Sequence, residues 1–126
     1  MAVDKDSKII IVDDYEVMTL AIASQLEILG FENVQEFNSA ELALEEVRKG
    51  ECDLVITDWN MEPMSGTELL NAIRADEQLE QLPVIIISAE KRQEIVHQTK
   101  KAGASSYLIK PFKTDALLEK IERVMG

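Results

Sequence analysis

Sulfur and imidazole are nearly absent from this sequence: Cys52 is its single cysteine and His97 its single histidine. One thiol cannot close an intrachain disulfide, and one of each cannot build a cysteine-rich zinc site. Cys52 reads as a small buried hydrophobe. His97 lies among Gln98, Lys100 and Lys101 in a stretch of helical polarity and reads as part of a solvated face. Long apolar runs are missing too. Nothing approaches the roughly 20 residues that span a bilayer, and Met1 to Asp6 lacks the basic and apolar regions of a signal peptide. A soluble cytoplasmic protein without membrane insertion is therefore expected. Positive charge is scarce: 13 Lys+Arg stand against 24 Asp+Glu, a net charge of -11. Such a balance repels a phosphate backbone and argues against nucleic-acid binding.

What basic charge exists is concentrated late. Residues 1–90 hold 5 Lys+Arg against 20 Asp+Glu, whereas residues 91–126 hold 8 against 4, so the two parts carry -15 and +4. The last third of the chain thus forms a separate electrostatic surface. A length of 126 residues suits one core, since single domains commonly occupy about 100–150 residues.

Four short runs, Ile9 to Val12, Leu54 to Ile56, Val84 to Ile87 and Tyr107 to Ile109, are rich in β-branched residues and lack polar alternation. Such runs suit strands covered on both faces, as in a parallel sheet. A fifth, Val34 to Asn38, reads as an alternation of apolar with polar residues and predicts an exposed edge strand. Between them lie stretches of helical periodicity: Met18, Ala21, Ile22, Leu26, Leu29; Ala40, Ala43, Leu44, Val47; Leu69, Leu70, Ile73; Ile95, Val96, Thr99, Ala102; and Leu117, Leu118, Ile121, Val124. Gly30, Gly50 and Gly103 stand where helix C-termini favour a left-handed residue, Ser39 and Thr114 can cap N-termini, and Ser65 with Glu68 has capping-box spacing. Fivefold βα alternation predicts a doubly wound α/β fold, a three-layer sandwich around a five-stranded parallel sheet. With the second strand at an edge, the flavodoxin-like order is 2-1-3-4-5.

Ligands of such sheets bind beyond the carboxyl ends of the strands. Strand one ends in Asp13-Asp14, strand three in Asp58, strand four in Ser88 and strand five in Lys110-Pro111. Each alone has an ordinary explanation: a helix cap for Asp13, Asp14 or Ser88, a turn for Asp58, a solvated loop for Lys110. Together they place three carboxylates on one rim. At about 5 Å and an effective dielectric near 20, each ionised pair costs about 3 kcal/mol, so a cation is expected to share the site. Oxygen donors without His or Cys suit Mg2+ rather than zinc or copper. A cation beside Lys110 and Ser88 would let an anionic phosphoryl group approach a carboxylate, and Asp58, central in the sheet, is the natural acceptor.

At these residues the chain resembles the receiver domain of bacterial response regulators over essentially its whole length. The matching stretches are Ile10-Ile11-Val12-Asp13-Asp14, Asp58-Trp59-Asn60-Met61 through Met64-Ser65-Gly66, Ser88-Ala89-Glu90, Ala102-Gly103-Ala104 and Lys110-Pro111-Phe112. The resemblance implies a single receiver domain over residues 1–126 with no output domain. It implies phosphorylation of Asp58 by a sensor histidine kinase, with Mg2+ held by Asp13, Asp14, Asp58 and the Asn60 backbone carbonyl. Lys110 and Ser88 would contact the phosphoryl oxygens, and the bond before Pro111 would be cis. Asp58-Trp59-Asn60-Met61 and Ser88-Ala89-Glu90 are especially similar to the CheY-like receivers of chemotaxis, in which Asn60 and Glu90 would tune dephosphorylation. Two departures from the family pattern stand out. Glu62 follows Met61 where proline is common, with Pro63 one position later, and Ser88 replaces a frequent threonine.

By that resemblance the output leaves through a face made by the fourth helix, fifth strand and fifth helix, where Lys91, Arg92, Lys100, Lys101, Lys113, Lys120 and Arg123 gather. Phosphorylation would draw Ser88 toward the phosphoryl group, let Tyr107 turn inward, and alter this face for an acidic or amphipathic protein target such as the flagellar motor switch. The fourth helix, with the weakest apolar stripe, would be the mobile element. The protein is expected to be a monomeric signalling phosphoacceptor, not a turnover enzyme. A phosphorelay carrier and a phosphate sink are alternatives within the family. A flavodoxin-like small-molecule binder would share the fold, but Asp13-Asp14-Tyr15-Glu16 would repel phosphate where such binders carry a phosphate-cradling loop. Haloacid-dehalogenase-like phosphatases place a second aspartate where this chain has Asn60. Trp59 and Met61, beside the acceptor, read as loop cover.

Overall fold

A computed structural model describes residues 3–126. The chain runs β1 (Ile9–Val12), α1 (Glu16–Ile28), β2 (Val34–Phe37), α2 (Ala40–Val47), β3 (Leu54–Asp58), α3 (Gly66–Ala75), β4 (Val84–Ser88), α4 (Gln93–Lys101), β5 (Ser106–Ile109) and α5 (Thr114–Met125). All neighbouring strands are parallel, in the order β2-β1-β3-β4-β5, as the edge character of β2 predicts.

The strand period of two divides the apolar residues between two faces. Ile10, Val12, Val55, Val84 and Ile86 turn toward α2 and α3, meeting Ala43, Leu44, Leu69, Leu70 and Ile73. Ile9, Ile11, Leu54, Ile56, Ile85 and Ile87 turn the other way, toward Ile22 and Leu26 of α1 and Leu117 and Ile121 of α5. This two-sided burial explains why the central strands read as unbroken apolar runs. β2 departs from strict alternation: Val34 packs toward the α1 side and Phe37 toward the α2 side, while Gln35 and Glu36 stay exposed.

Local signals largely act where the sequence puts them. Ser39 Oγ accepts from the Leu42 N–H and caps α2, and Ser65 with Glu68 forms a reciprocal capping box at α3. Thr114 does not cap α5; it is the first helical residue, Lys113 occupies the cap position, and no side chain bonds there. The bond before Pro111 is cis, and so is Glu62–Pro63. α1 is apolar on both sides, burying Thr19, Ile22 and Leu26 while leaving Val17, Leu20 and Ile28 exposed. His97 is exposed, and half-buried Cys52 has its thiol pushed up to about 11, mainly by burial. That keeps it protonated and unreactive near neutrality.

At the opposite end of the sheet from the carboxylates, Arg74 reaches out from the last turn of α3. Its Nε donates to the Gly103 carbonyl at 2.8 Å, Nη1 to the Leu82 carbonyl at 2.7 Å, and Nη2 to Ser105 Oγ at 3.3 Å. Gly103 has a left-handed backbone (φ +116), and a Cβ there would lie 3.0 Å from the Arg74 side chain. Conformation and crowding both favour glycine at this position.

Candidate functional site

Parallel register brings the rim residues together. Val12 pairs with Thr57, so Asp13 lies level with Asp58; Asp58 pairs with Ile87, so Ser88 stands one step beyond; Ser88 pairs with Ile109, so Lys110 stands beyond that. Backbone bonds continue past the strand ends, from Asp13 N to the Phe37 carbonyl, Trp59 N to that of Ile87, and Lys110 N to that of Ser88. The rim is therefore an extension of the sheet.

Lys110 Nζ donates to Asp58 Oδ1 at 2.8 Å and lies 3.5 Å from Asp13 Oδ2. The second Asp58 oxygen accepts from the Asn60 backbone N–H at 3.2 Å. Asp13 Oδ1 accepts from the Tyr15 N–H, and the Asp13 carbonyl accepts from Asn38 Nδ2. Asp13 and Asp58 are buried, whereas Asp14 is exposed. Burial, reinforced by the Asp58 charge, lifts the Asp13 carboxyl above its ordinary range despite the opposing Tyr15 bond and Lys110 charge. Burial works against the Lys110 ammonium, but its bond to Asp58 and the neighbouring Asp13 charge outweigh that and raise its pKa.

Carboxylate oxygens of Asp13, Asp14 and Asp58 all lie within 4.8 Å of one another. Three such groups against one ammonium leave an excess of negative charge, and the donors are all hard oxygens. This set fits a divalent cation that keeps some of its water. Beside it opens a cleft of about 400 Å³, lined by Tyr15, Asp58, Trp59, Asn60, Ser88, Ala89, Glu90 and Lys110.

The end of β3 is fixed from behind by Gly66. A Cβ there would fall 2.0 Å from the Asp58 carbonyl oxygen, so only glycine lets α3 begin this close to the strand. The Gly66 N–H also donates to the Trp59 carbonyl at 3.1 Å, closing the loop whose proline is displaced to position 63. Met61 is buried in the core, as loop cover should be, but Trp59 does more. Half-buried, it also faces a small recess shared with Thr67 of α3 and Ile95, Gln98 and Thr99 of α4.

On the other side of the cleft, Ser88 Oγ accepts from the Glu90 N–H at 3.0 Å. Tyr107 is buried, and its hydroxyl donates to the Glu90 carbonyl at 3.1 Å. Its ring thus already occupies the inward position that sequence reasoning assigned to the phosphorylated form. Asn38 and the pairing of Glu90 with Arg92 went unnoticed at the sequence level. No local pattern links Asn38 to Asp13, 25 residues away; the Glu90-Lys91-Arg92 spacing did offer a signal.

Comparison with known proteins agrees with this arrangement. A family profile described as the response regulator receiver domain matches residues 9–122. The chain belongs to the response regulator receiver family. This receiver is 43% identical to the chemotaxis protein CheY-3 of Vibrio cholerae, over 96% of its own length and 93% of the relative's. It is 42% identical to the chemotaxis protein CheY of Pseudomonas aeruginosa, covering 93% and 94%. Among solved structures, the chemotaxis response regulator CheY4 of Vibrio cholerae superposes with a TM-score of 0.86 at 30% identity, covering 94% of this receiver and 98% of that chain. Among the described residues of the receiver, no helix is long and apolar enough to cross a membrane.

Proposed function

We propose that this receiver accepts a phosphoryl group on Asp58 from the phosphohistidine of a sensor kinase, with Mg2+ at the aspartate cluster, and passes the signal on by binding a protein target. The observation that carries the proposal is the 2.8 Å contact of Lys110 Nζ with Asp58 Oδ1, beside two further carboxylates. An Asp58 oxygen attacks phosphorus while the phosphorus–nitrogen bond of the donor breaks, its electron pair returning to the imidazole. Asp13, Asp14, Asp58 and the Asn60 carbonyl would hold Mg2+, which when bound would supply neutralisation of the negative charge gathered at the site. Lys110 stands where it can neutralise charge on the transferred group, and Ser88 can rotate from the Glu90 N–H to donate to a phosphoryl oxygen. Asn60 and Glu90, at the mouth of the cleft, tune later attack by water.

The relatives named CheY support a chemotactic role in the cytoplasm as a switch, with the face made by α4, β5 and α5 offered to a target such as the flagellar motor switch. Exposed Lys91, Arg92, Lys100, Lys101 and Arg123 make that face basic. Because Tyr107 is held by the Glu90 carbonyl, Ser88 movement reaches the face through the Glu90 backbone.

The test incubates wild type and Asp58→Asn with acetyl phosphate and Mg2+, or with a chelator, and reads intact mass. A single metal-dependent phosphoryl adduct on wild type alone is expected. An unmodified wild type, under conditions that label another receiver, would overturn the proposal.

A further inference from the structure

Glu90 closes the Ser88 side of the cleft, and its carboxylate is held by the residue two positions on. Oε1 accepts from the Arg92 backbone N–H at 2.9 Å and from Nε at 3.0 Å, while Oε2 accepts from Nη2 at 3.1 Å. The guanidinium grips both oxygens, a fork that a lysine ammonium cannot reproduce. This grip, the side-chain bonds first and the backbone bond second, holds the Glu90 carboxyl below the usual glutamate range. The Glu90 backbone is fixed separately, its N–H by Ser88 and its carbonyl by Tyr107. The three side-chain hydrogen bonds of Glu90 among the described residues all come from Arg92.

We propose that Arg92 is a positioning residue for the acceptor site, holding the Glu90 carboxylate at the rim and off the approach to Asp58. The inference rests on the phosphoacceptor reading above. Asp13 and Asp14 already add their negative charge to that of the Asp58 acceptor, offset locally by Lys110. Glu90 already lines the cleft, so a carboxylate released from Arg92 would be free to turn toward Asp58 and add a fourth negative group across the path of an anionic phosphodonor. Arg92 thus matters to phosphoryl transfer without touching the reacting atoms. Among the described residues the Lys91 ammonium makes no ion pair with Glu90, whose salt bridge is to Arg92.

Wild type, Arg92→Ala, Arg92→Lys, Glu90→Ala and the double variant are labelled with acetyl phosphate and Mg2+ at low salt, and the rate of adduct formation is read by intact mass. The Glu90 side-chain carboxyl is titrated in parallel by NMR in wild type and Arg92→Ala. Loss of the guanidinium is expected to slow labelling roughly two- to fivefold, the range of an exposed ion pair, and the difference is expected to shrink as salt rises. Arg92→Lys recovers part of the rate, Arg92→Ala has no effect once Glu90 is alanine, and the Glu90 titration moves up toward the ordinary range when Arg92 is removed. Equal slowing with and without the Glu90 carboxylate would show a general charge effect and overturn the inference. So would an unchanged rate or an unchanged Glu90 titration in Arg92→Ala. Absence of any adduct on wild type would overturn the phosphoacceptor reading itself and this inference with it, while the NMR titration would still report the ion pair.

Discussion

α3 and α4 both begin at the rim of the acceptor cleft, and they are secured by different means. α3 buries Gly66, Leu69, Leu70 and Ile73, starts in a complete capping box, and rests on the Asp58 carbonyl through Gly66. α4 buries only Thr99 and begins at Arg92 with no side-chain cap. Its start is tied to the cleft by the contacts of Glu90, and those are single hydrogen bonds and one exposed ion pair. Packing and capping contribute far more than an exposed, salt-screened ion pair does. The same pocket thus has one wall that resists displacement and one that yields cheaply, a division that suits the proposed role of a fixed phosphoacceptor beside a responsive neighbour.

The contrast is most exposed to refutation in the core. Ile73→Ala, at a fully buried site on α3, is expected to cost about 2–5 kcal/mol in urea unfolding, against about 1 kcal/mol for Ile95→Ala on the half-buried face of α4. Equal losses would erase the distinction between the walls. Gly66→Ala comes next, at about 3 kcal/mol, because the new methyl meets backbone that cannot move aside. Full stability in that variant would mean that α3 is not seated on the acceptor strand.

Electrostatics on the fixed side give a smaller effect of opposite sign. The Asp13 carboxyl is raised in the fold, so its favourable contribution is complete below the unfolded value near about 4 and is lost as pH rises through the folded value. With divalent cations chelated, Asp13→Asn is therefore expected to stabilise the protein at pH 7, and the gain should disappear as pH falls to about 4. Unfolding curves for both proteins across that range provide the check. Ser65→Ala, which removes half of the capping box, should cost about 1 kcal/mol. A capping serine engineered at the start of α4 would sharpen the comparison further.

Much of this arrangement is legible in the residues themselves. The apolar runs at Ile9 and Val84 read as buried strands because both their faces are covered, and the carboxylates stand out because they terminate those runs. Ser65 and Glu68 are legible because capping is local. Thr114 misled for the complementary reason: its type suits a cap, but the chain leaving Pro111 enters α5 one residue earlier, at Lys113. Arg74 could not be read at all, since its three acceptors lie 8, 29 and 31 residues away and two of them are backbone carbonyls, which every residue offers. The inward Tyr107 ring likewise depends on a carbonyl 17 residues away, for which the residue types carry no signature.

Arg74 leaves one further consequence. Its positive charge is met by carbonyl and hydroxyl dipoles, with no carboxylate partner, and burial lowers its pKa. It stitches the loops before β4 and β5 to α3 at the end of the sheet away from the aspartates. The far end of α4 is thereby moored while its near end rests on weak contacts, so any rearrangement there should be a swing about the Gly103 end and not a sliding of the whole helix. Bolts at the base and a loose hem at the rim let descendants of this chain vary the surface around α4 without re-solving how to stay folded.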